Sequence, residues 1–172
     1  MTTFTLKKFD PTSLSSDSFI LVVGRRRVGK SWLVRDLLYK TNTDFNKTRV
    51  MSDTESACPF YSDFVPVENI GKYNDSTVEE IKKKQMQDIK QANQNRLGKS
   101  PETHTTLVVD SCTNVTKSFI NVLVNSRNLN LMPILTIQYV NVVSSQVRNN
   151  IDYVFIFADS LQKNRCKLYE DY

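Results

Sequence analysis

A chain of 172 residues, 40% hydrophobic and 24% charged, has the composition of an ordinary globular protein and the length to bury a core without disulfide or metal staples. Its longest apolar runs, Phe19–Val23 and Tyr153–Ala158, are too short to span a bilayer, and no basic, apolar and small-residue series opens the chain. Neither membrane insertion nor a signal peptide is therefore expected, and a net charge of +5 with a pI of about 9.1 permits a nucleic-acid partner without requiring one.

In chain order, residues 1–18 are polar and irregular, with Pro11 and a serine cluster, and read as a lead-in arm or strand. Phe19–Val23 is a continuous apolar run, the pattern of a strand buried on both faces. Trp32, Leu33, Leu37 and Leu38 then recur at helical spacing, which predicts a helix over Lys30–Lys40 that Asn42 helps to end. A second strand is expected at Thr48–Ser52, followed by a loop-rich stretch with Pro59, Pro66 and the aromatics Phe60, Tyr61 and Phe64. From Ser76 to about Arg96 no breaker interrupts a charged sequence. Its thin apolar stripe (Val78, Ile81, Ile89, Ala92) predicts a long, largely solvated helix.

Leu107–Val109 forms the core of a third buried strand ending at Asp110. A helix is expected from about Val115 to Arg127, with Phe119, Val122 and Leu123 inward. Pro133 is read as preceding a strand at Ile134–Ile137, and Tyr153–Phe157 as a fifth strand. Apolar strands alternating with amphipathic helices predict an α/β fold, a mostly parallel sheet with helices on both faces, in one domain over residues 1–172.

Gly24-Arg25-Arg26-Arg27-Val28-Gly29-Lys30-Ser31 fits the pattern GxxxxGK[ST], with Trp32 next to it. Such a loop needs glycines because it wraps closely around phosphate oxygens and points several backbone N–H groups inward. Lys30 would reach the β and γ phosphates of ATP and the Ser31 hydroxyl would ligate Mg²⁺, beside the positive end of the following helix. The match lies between a buried strand and an amphipathic helix, which is the context the motif requires. Asp110, closing its own apolar strand, is the candidate second metal residue. Ser111 follows it and cannot serve as a general base at neutral pH unless a neighbour activates it. Asp53 or Glu55 could supply that carboxylate, although solvated loop acids are the simpler reading.

Gln138 should lie at the carboxyl edge of the sheet, placed to sense the γ-phosphate or position water. Arg127 and Arg148 are candidates for an arginine offered to a neighbouring subunit's site. Residues 72–99 carry seven basic and four acidic side chains, a face that could meet a nucleic-acid backbone, though it lacks interleaved aromatics for base stacking. His104, just before a strand, reads as structural or exposed, not catalytic. The cysteines Cys58, Cys112 and Cys166 contain no CxxC pair and suggest reduced thiols. On these residues a small P-loop kinase or a non-catalytic nucleotide-binding module stays open beside an ATPase. A small GTPase is disfavoured, because a base-reading NKxD is missing where it would be needed.

Together the stretches VVGRRRVGKSWLVRDLLY, TESACPFYSDFVP, LVVDSC, NSRNLNLMPILTIQYVNVVSSQVRNNIDYVFIF and LYEDY resemble the genome-packaging ATPases of nucleocytoplasmic large DNA viruses, poxviruses included, within the FtsK–HerA group of P-loop motors. The resemblance covers most of the chain from about residue 19. It implies a RecA-like sheet, a homo-oligomeric ring, viral capsid or portal components as partners, and ATP-driven translocation of double-stranded DNA. The setting would be viral assembly sites in the host cytoplasm or the virion. It also implies that Lys30 and Ser31 hold phosphate and Mg²⁺, that Asp110 is the metal-site acid and Gln138 the polar sensor. Arg127 is the better match to an arginine finger and Arg148 the second. The chain departs from the family at Ser111, where a second acid is usual, and family members continue beyond a LYEDY-like segment.

Overall fold

A computed structural model describes residues 7–41, 43–94 and 103–172. Its centre is one six-stranded parallel sheet: β1 (Ile20–Val23), β2 (Thr48–Ser52), β3 (Ile70–Gly71), β4 (Thr105–Cys112), β5 (Leu131–Ile137) and β6 (Tyr153–Ile156), in the spatial order β3-β2-β4-β5-β1-β6. Parallel neighbours need long crossovers, and helices supply them. Helix α1 (Lys30–Lys40) follows β1, α2 (Asp75–Gln94) follows β3 and α3 (Lys117–Val124) follows β4. The one-turn α4 (Ser145–Arg148) leads into β6, and α5 (Gln162–Asp171) comes after it.

Alternation along the strands divides the core in two. Leu21, Leu107, Val109, Leu135 and Ile137 face one way and pack with Val78 and Ile81 of α2, and with Phe119, Val122 and Leu123 of α3. Ile20, Val22, Val50, Val108 and Ile134 face the other way, onto Val34, Leu37 and Leu38 of α1 and onto Tyr61 and Val65. The doubly covered parallel sheet predicted from the sequence is thus the one observed.

Several details differ from the sequence reading. β3 is an additional short strand inside the loop-rich stretch. It pairs only Ile70 and Gly71 with β2, too little sequence to show a period. Pro133 lies within β5, not before it; pairing with β1 begins at Ile134, so the proline occupies the part of the strand that extends beyond that ladder. Helix α3 is shorter than expected, ending at Val124, after which Ser126 to Asn130 form turns that deliver the chain to β5. The long helix runs Asp75–Gln94, and its expected end at Arg96, like Asn42, lies outside the described residues. No strand forms among the described residues before β1; Pro11–Ser13 makes a single 3₁₀ turn capped by Asp10. α5, which carries the LYEDY segment, was not anticipated. No helix among the described residues is long and apolar enough to cross a membrane.

Candidate active site

The loop from Gly24 to Ser31 joins the carboxyl end of β1 to the first turn of α1, and its glycines are sterically required. A Cβ on Gly24 would lie 2.8 Å from the Phe157 Cβ and 2.9 Å from a Val28 methyl group, while Gly29 has φ +98°, a conformation L side chains rarely adopt. Gly29 also caps α1, and no side chain occupies the helix's leading N–H groups, which leaves them directed at the loop. Lys30 is buried and folds back across the loop, donating to the carbonyl oxygens of Gly24 (2.9 Å) and Arg25 (3.0 Å). Burial pushes its ammonium below the ordinary lysine value, opposed by the charge of Asp110 and reinforced by Arg26.

Ser31 opens α1 opposite Asp110, and its hydroxyl donates to Asp110 Oδ2 at 2.8 Å. The two residues named as metal ligands are therefore in contact. Asp110 points to the α1 side of the sheet because it lies two positions beyond Val108 on the same strand. The same oxygen accepts the Tyr61 hydroxyl at 2.9 Å, and Oδ1 accepts the Thr136 hydroxyl. Tyr61 and Thr136 were not singled out from the sequence. In the sequence Tyr61 is one of three aromatics in a loop-rich stretch and Thr136 one position in an apolar strand. Only the parallel register of β4 and β5 sets Thr136 beside Asp110. The Tyr61 phenol is held well above its ordinary value, first by burial and then by the Asp110 charge.

Beyond Asp110 the strand does not end but twists. Ser111 has φ +59° and its N–H donates to Thr136 Oγ1 at 2.7 Å, and the pairing of β4 with β5 shifts register between Val109 and Cys112. A left-handed non-glycine residue at a strand irregularity is a local strain of about 1–3 kcal/mol, of the kind that re-aims side chains next to functional sites. Glu55 is committed elsewhere: its Oε1 accepts the N–H groups of Phe60 and Ser62, both at 2.9 Å, and so shapes the turn that presents Tyr61. Asp53 is exposed and follows Ser52, the residue opposite Asp110 in the β2–β4 register.

The strand bearing Gln138 at its carboxyl end, β5, lies between the strands that lead to the phosphate loop and to Asp110. Gln138 lines a cleft of about 1080 Å³ together with Arg25, Arg26, Val28, Thr113 and Ser160. Arg25 donates to the Ser160 hydroxyl at 2.6 Å, and Arg27 stands exposed at the loop tip with φ +62°. Trp32 is 60% exposed and carries the Arg35 guanidinium 3.9 Å over its ring. Arg127 and Arg148 make their contacts elsewhere. Arg127 lies at the amino-terminal edge of the sheet, ion-paired with Asp152, whose other oxygen accepts the Phe19 N–H. Arg148 donates to the Val143 carbonyl and the Ser145 hydroxyl and lies 3.5 Å from Asp171. Neither arginine joins Lys30, Ser31 and Asp110 within one chain.

Ser31 and Asp110 offer a hydroxyl and a carboxylate, hard oxygen donors that suit Mg²⁺ shared with phosphates better than a metal caged by protein alone. Among the described residues no group of three or more histidine, cysteine or acidic side chains could hold a metal by itself.

No protein-family model matches the chain. Protein 075L of Invertebrate iridescent virus 6 is 31% identical over 183 aligned residues, covering 98% of this chain and 69% of the relative. The chain belongs to the same protein family as 075L. An uncharacterized protein of Acanthamoeba polyphaga mimivirus is 29% identical over 98% of the chain, which spans 62% of that relative's length. Among solved structures, the genome-packaging NTPase B204 of Sulfolobus turreted icosahedral virus 2, in complex with ATP-gammaS, aligns with a TM-score of 0.59 at 18% identity, covering 91% of this chain and 83% of B204. The cytoplasmic domain of EssC aligns with a TM-score of 0.58 at 18% identity, over 89% of this chain and 35% of its own. The fold is that of the P-loop NTPases, and B204, one of the structures that share it, is a viral genome-packaging NTPase.

Proposed function

We propose that the chain is the ATP-hydrolysing motor domain, residues 1–172 acting as one unit, of a viral machine that drives double-stranded DNA into a capsid. The observation that carries this reading is the contact between Ser31 and Asp110, 2.8 Å apart beneath a phosphate-binding loop. The likeness to B204, a genome-packaging NTPase, gives it its biological direction.

In this reading Lys30 leaves the carbonyl oxygens of Gly24 and Arg25 to pair with β and γ phosphate oxygens, while the loop N–H groups and the uncapped start of α1 hold the phosphate chain. Ser31 and Asp110 would hold Mg²⁺, which when bound neutralises charge on the transferring phosphoryl group. Trp32 and the arginines Arg25, Arg26 and Arg27 border the nucleotide. Gln138 orients the attacking water from the cleft between the phosphate loop and Thr113. Catalysis is then positioning and electrostatics, with little covalent work for the protein. Since Arg127 and Arg148 stand away from the chain's own site, either would contribute only to a neighbour's, which requires a homo-oligomer, with a ring as the natural closed form. Capsid or portal components would anchor that ring at assembly sites in the host cytoplasm or in the virion. The exposed lysines Lys83, Lys84 and Lys90 of α2 offer a DNA-facing surface.

One observation favours a second reading. Ser111, held in a left-handed conformation, occupies the place of the usual second acid, and the nearby Glu55 is engaged by backbone amides. A nucleotide-binding assembly module without turnover would have this arrangement. Steady-state ATP hydrolysis with and without duplex DNA, beside Lys30→Ala, separates the two. The motor reading expects turnover that rises with DNA and falls at least about a hundredfold in the variant. Tight ATP binding with no turnover under either condition hands the site to the second reading.

A further inference from the structure

We propose that Tyr61 is a positioning residue of the metal site: its hydroxyl fixes the Asp110 carboxylate, and through it the Ser31 hydroxyl, in the orientation that receives Mg²⁺. This rests on the reading of Ser31 and Asp110 as the metal residues. An ionised carboxylate has about four acceptor positions. The hydroxyls of Ser31 and Tyr61 occupy Oδ2 and that of Thr136 occupies Oδ1, so a single position remains. That position is directed, because its three neighbours prevent the carboxylate from turning. Thr136 and Ser31 belong to β5 and α1, but Tyr61 comes from the loop between β2 and β3. It is fully buried among apolar residues, so the energy that holds its ring is available to hold the carboxylate.

The loop is built to present that hydroxyl. Glu55 Oε1 collects the N–H groups on either side of Tyr61, from Phe60 and Ser62. The Phe60 ring meets the Tyr61 ring edge-on at 5.2 Å and the Phe64 ring at 5.9 Å. A phenylalanine at position 61 would fill the same volume, since nothing but the hydroxyl reaches the carboxylate. The role of the oxygen is therefore separable from the packing of the ring.

The test is binding of a fluorescent ATP analogue by the full chain, titrated in EDTA and then with rising Mg²⁺, for wild type and Tyr61→Phe. With one of its three anchors removed, Asp110 should need about tenfold more Mg²⁺ for half-saturation, while the affinity in EDTA stays within about twofold. Glu55→Ala, which releases both loop amides, should move the Mg²⁺ requirement in the same direction and serves if Tyr61→Phe fails to fold. A clear Mg²⁺ dependence in wild type that Tyr61→Phe reproduces overturns the role of the hydroxyl alone. So does equal weakening in EDTA and in Mg²⁺, which would make Tyr61 a packing residue. A wild type that binds no more tightly with Mg²⁺ than with EDTA overturns the metal-site reading itself, and the Tyr61 role with it.

Discussion

At the amino ends of the central strands, several polar side chains bond to one another, while the neighbouring His104 Nδ1 is buried without a hydrogen-bond partner. Gln85 of α2 donates to the carbonyls of Thr103 and Asn130 and accepts the Thr105 hydroxyl, and Asn130 donates to the Thr103 hydroxyl. Nearby, Arg127 and Asp152 tie the turn after α3 to the entry of β6. At the carboxyl ends the bonding is convergent: Ser31, Tyr61 and Thr136, from three separate segments, all donate to one carboxylate. The first arrangement pairs Gln85, Thr103, Thr105 and Asn130 among themselves, as buried polar groups require for stability. The second gathers three donors from three segments onto one anion, and places them under a loop shaped for phosphate. The same sheet thus has a structural end and a chemical end.

Breaking one polar group at each end should separate the two. Asp110→Asn keeps the shape but removes the charge that three hydroxyls address. ATP turnover is expected to fall by at least about a hundredfold, with a stability loss of about 1–3 kcal/mol. Gln85→Met, matched in size, should cost stability by a similar amount and leave turnover of the folded fraction within about twofold. Chemical denaturation alongside steady-state hydrolysis measures both. A Gln85→Met protein whose turnover collapses while its denaturation midpoint holds would erase the distinction between the ends.

Arg127 sharpens the contrast, since it is the residue at the structural end to which the family resemblance assigns chemistry. Its side chain is 59% exposed, so loss of the Asp152 pair in Arg127→Ala should cost no more than about 1 kcal/mol. If it acts on a neighbour, turnover should fall at least about tenfold at protein concentrations where subunits associate, with ATP affinity unchanged. Turnover that stays at wild-type level would leave Arg127 a strut between α3 and β6 and move the finger assignment to Arg148.

The two ends were not equally legible in the sequence. The phosphate loop is local: eight consecutive residues, with glycines whose necessity shows in the Phe157 contact and the positive φ, were readable before any fold existed. Strands β1 and β4 announced themselves as apolar runs, and Asp110 as the polar residue closing the second. Tyr61 and Thr136 were illegible because their meaning is register. Thr136 looks like one polar atom in a buried strand, and Tyr61 sits in a loop with two phenylalanines that do pack as such a loop should. Gln85 was hidden for the same reason, a polar residue in a helix that reads as solvated until the start of β5 lies against it. The partnership of Arg127 with Asp152 depends on a separation of 25 residues that no local pattern encodes.

The smallest expected effect concerns the thiols, and it probes how closed the chemical end is. Cys112 ends β4 two residues beyond Asp110, buried, and burial pushes its thiol up to about 11, while Cys58 and Cys166 are exposed. Because the thiolate is the reactive form, a maleimide at pH 8 should modify Cys58 and Cys166 promptly and Cys112 only on unfolding. The sign of the linked stability follows. A raised acid favours the protonated fold, so the contribution of Cys112 is intact below pH 9 and is lost as pH rises through about 11. Replacing it by alanine should flatten the alkaline loss of stability over that window at some cost in packing, measured by thermal midpoints from pH 8 upward. Prompt labelling of Cys112 in the folded protein at pH 8 would instead show that its thiol is reached from the cleft it lines together with Gln138.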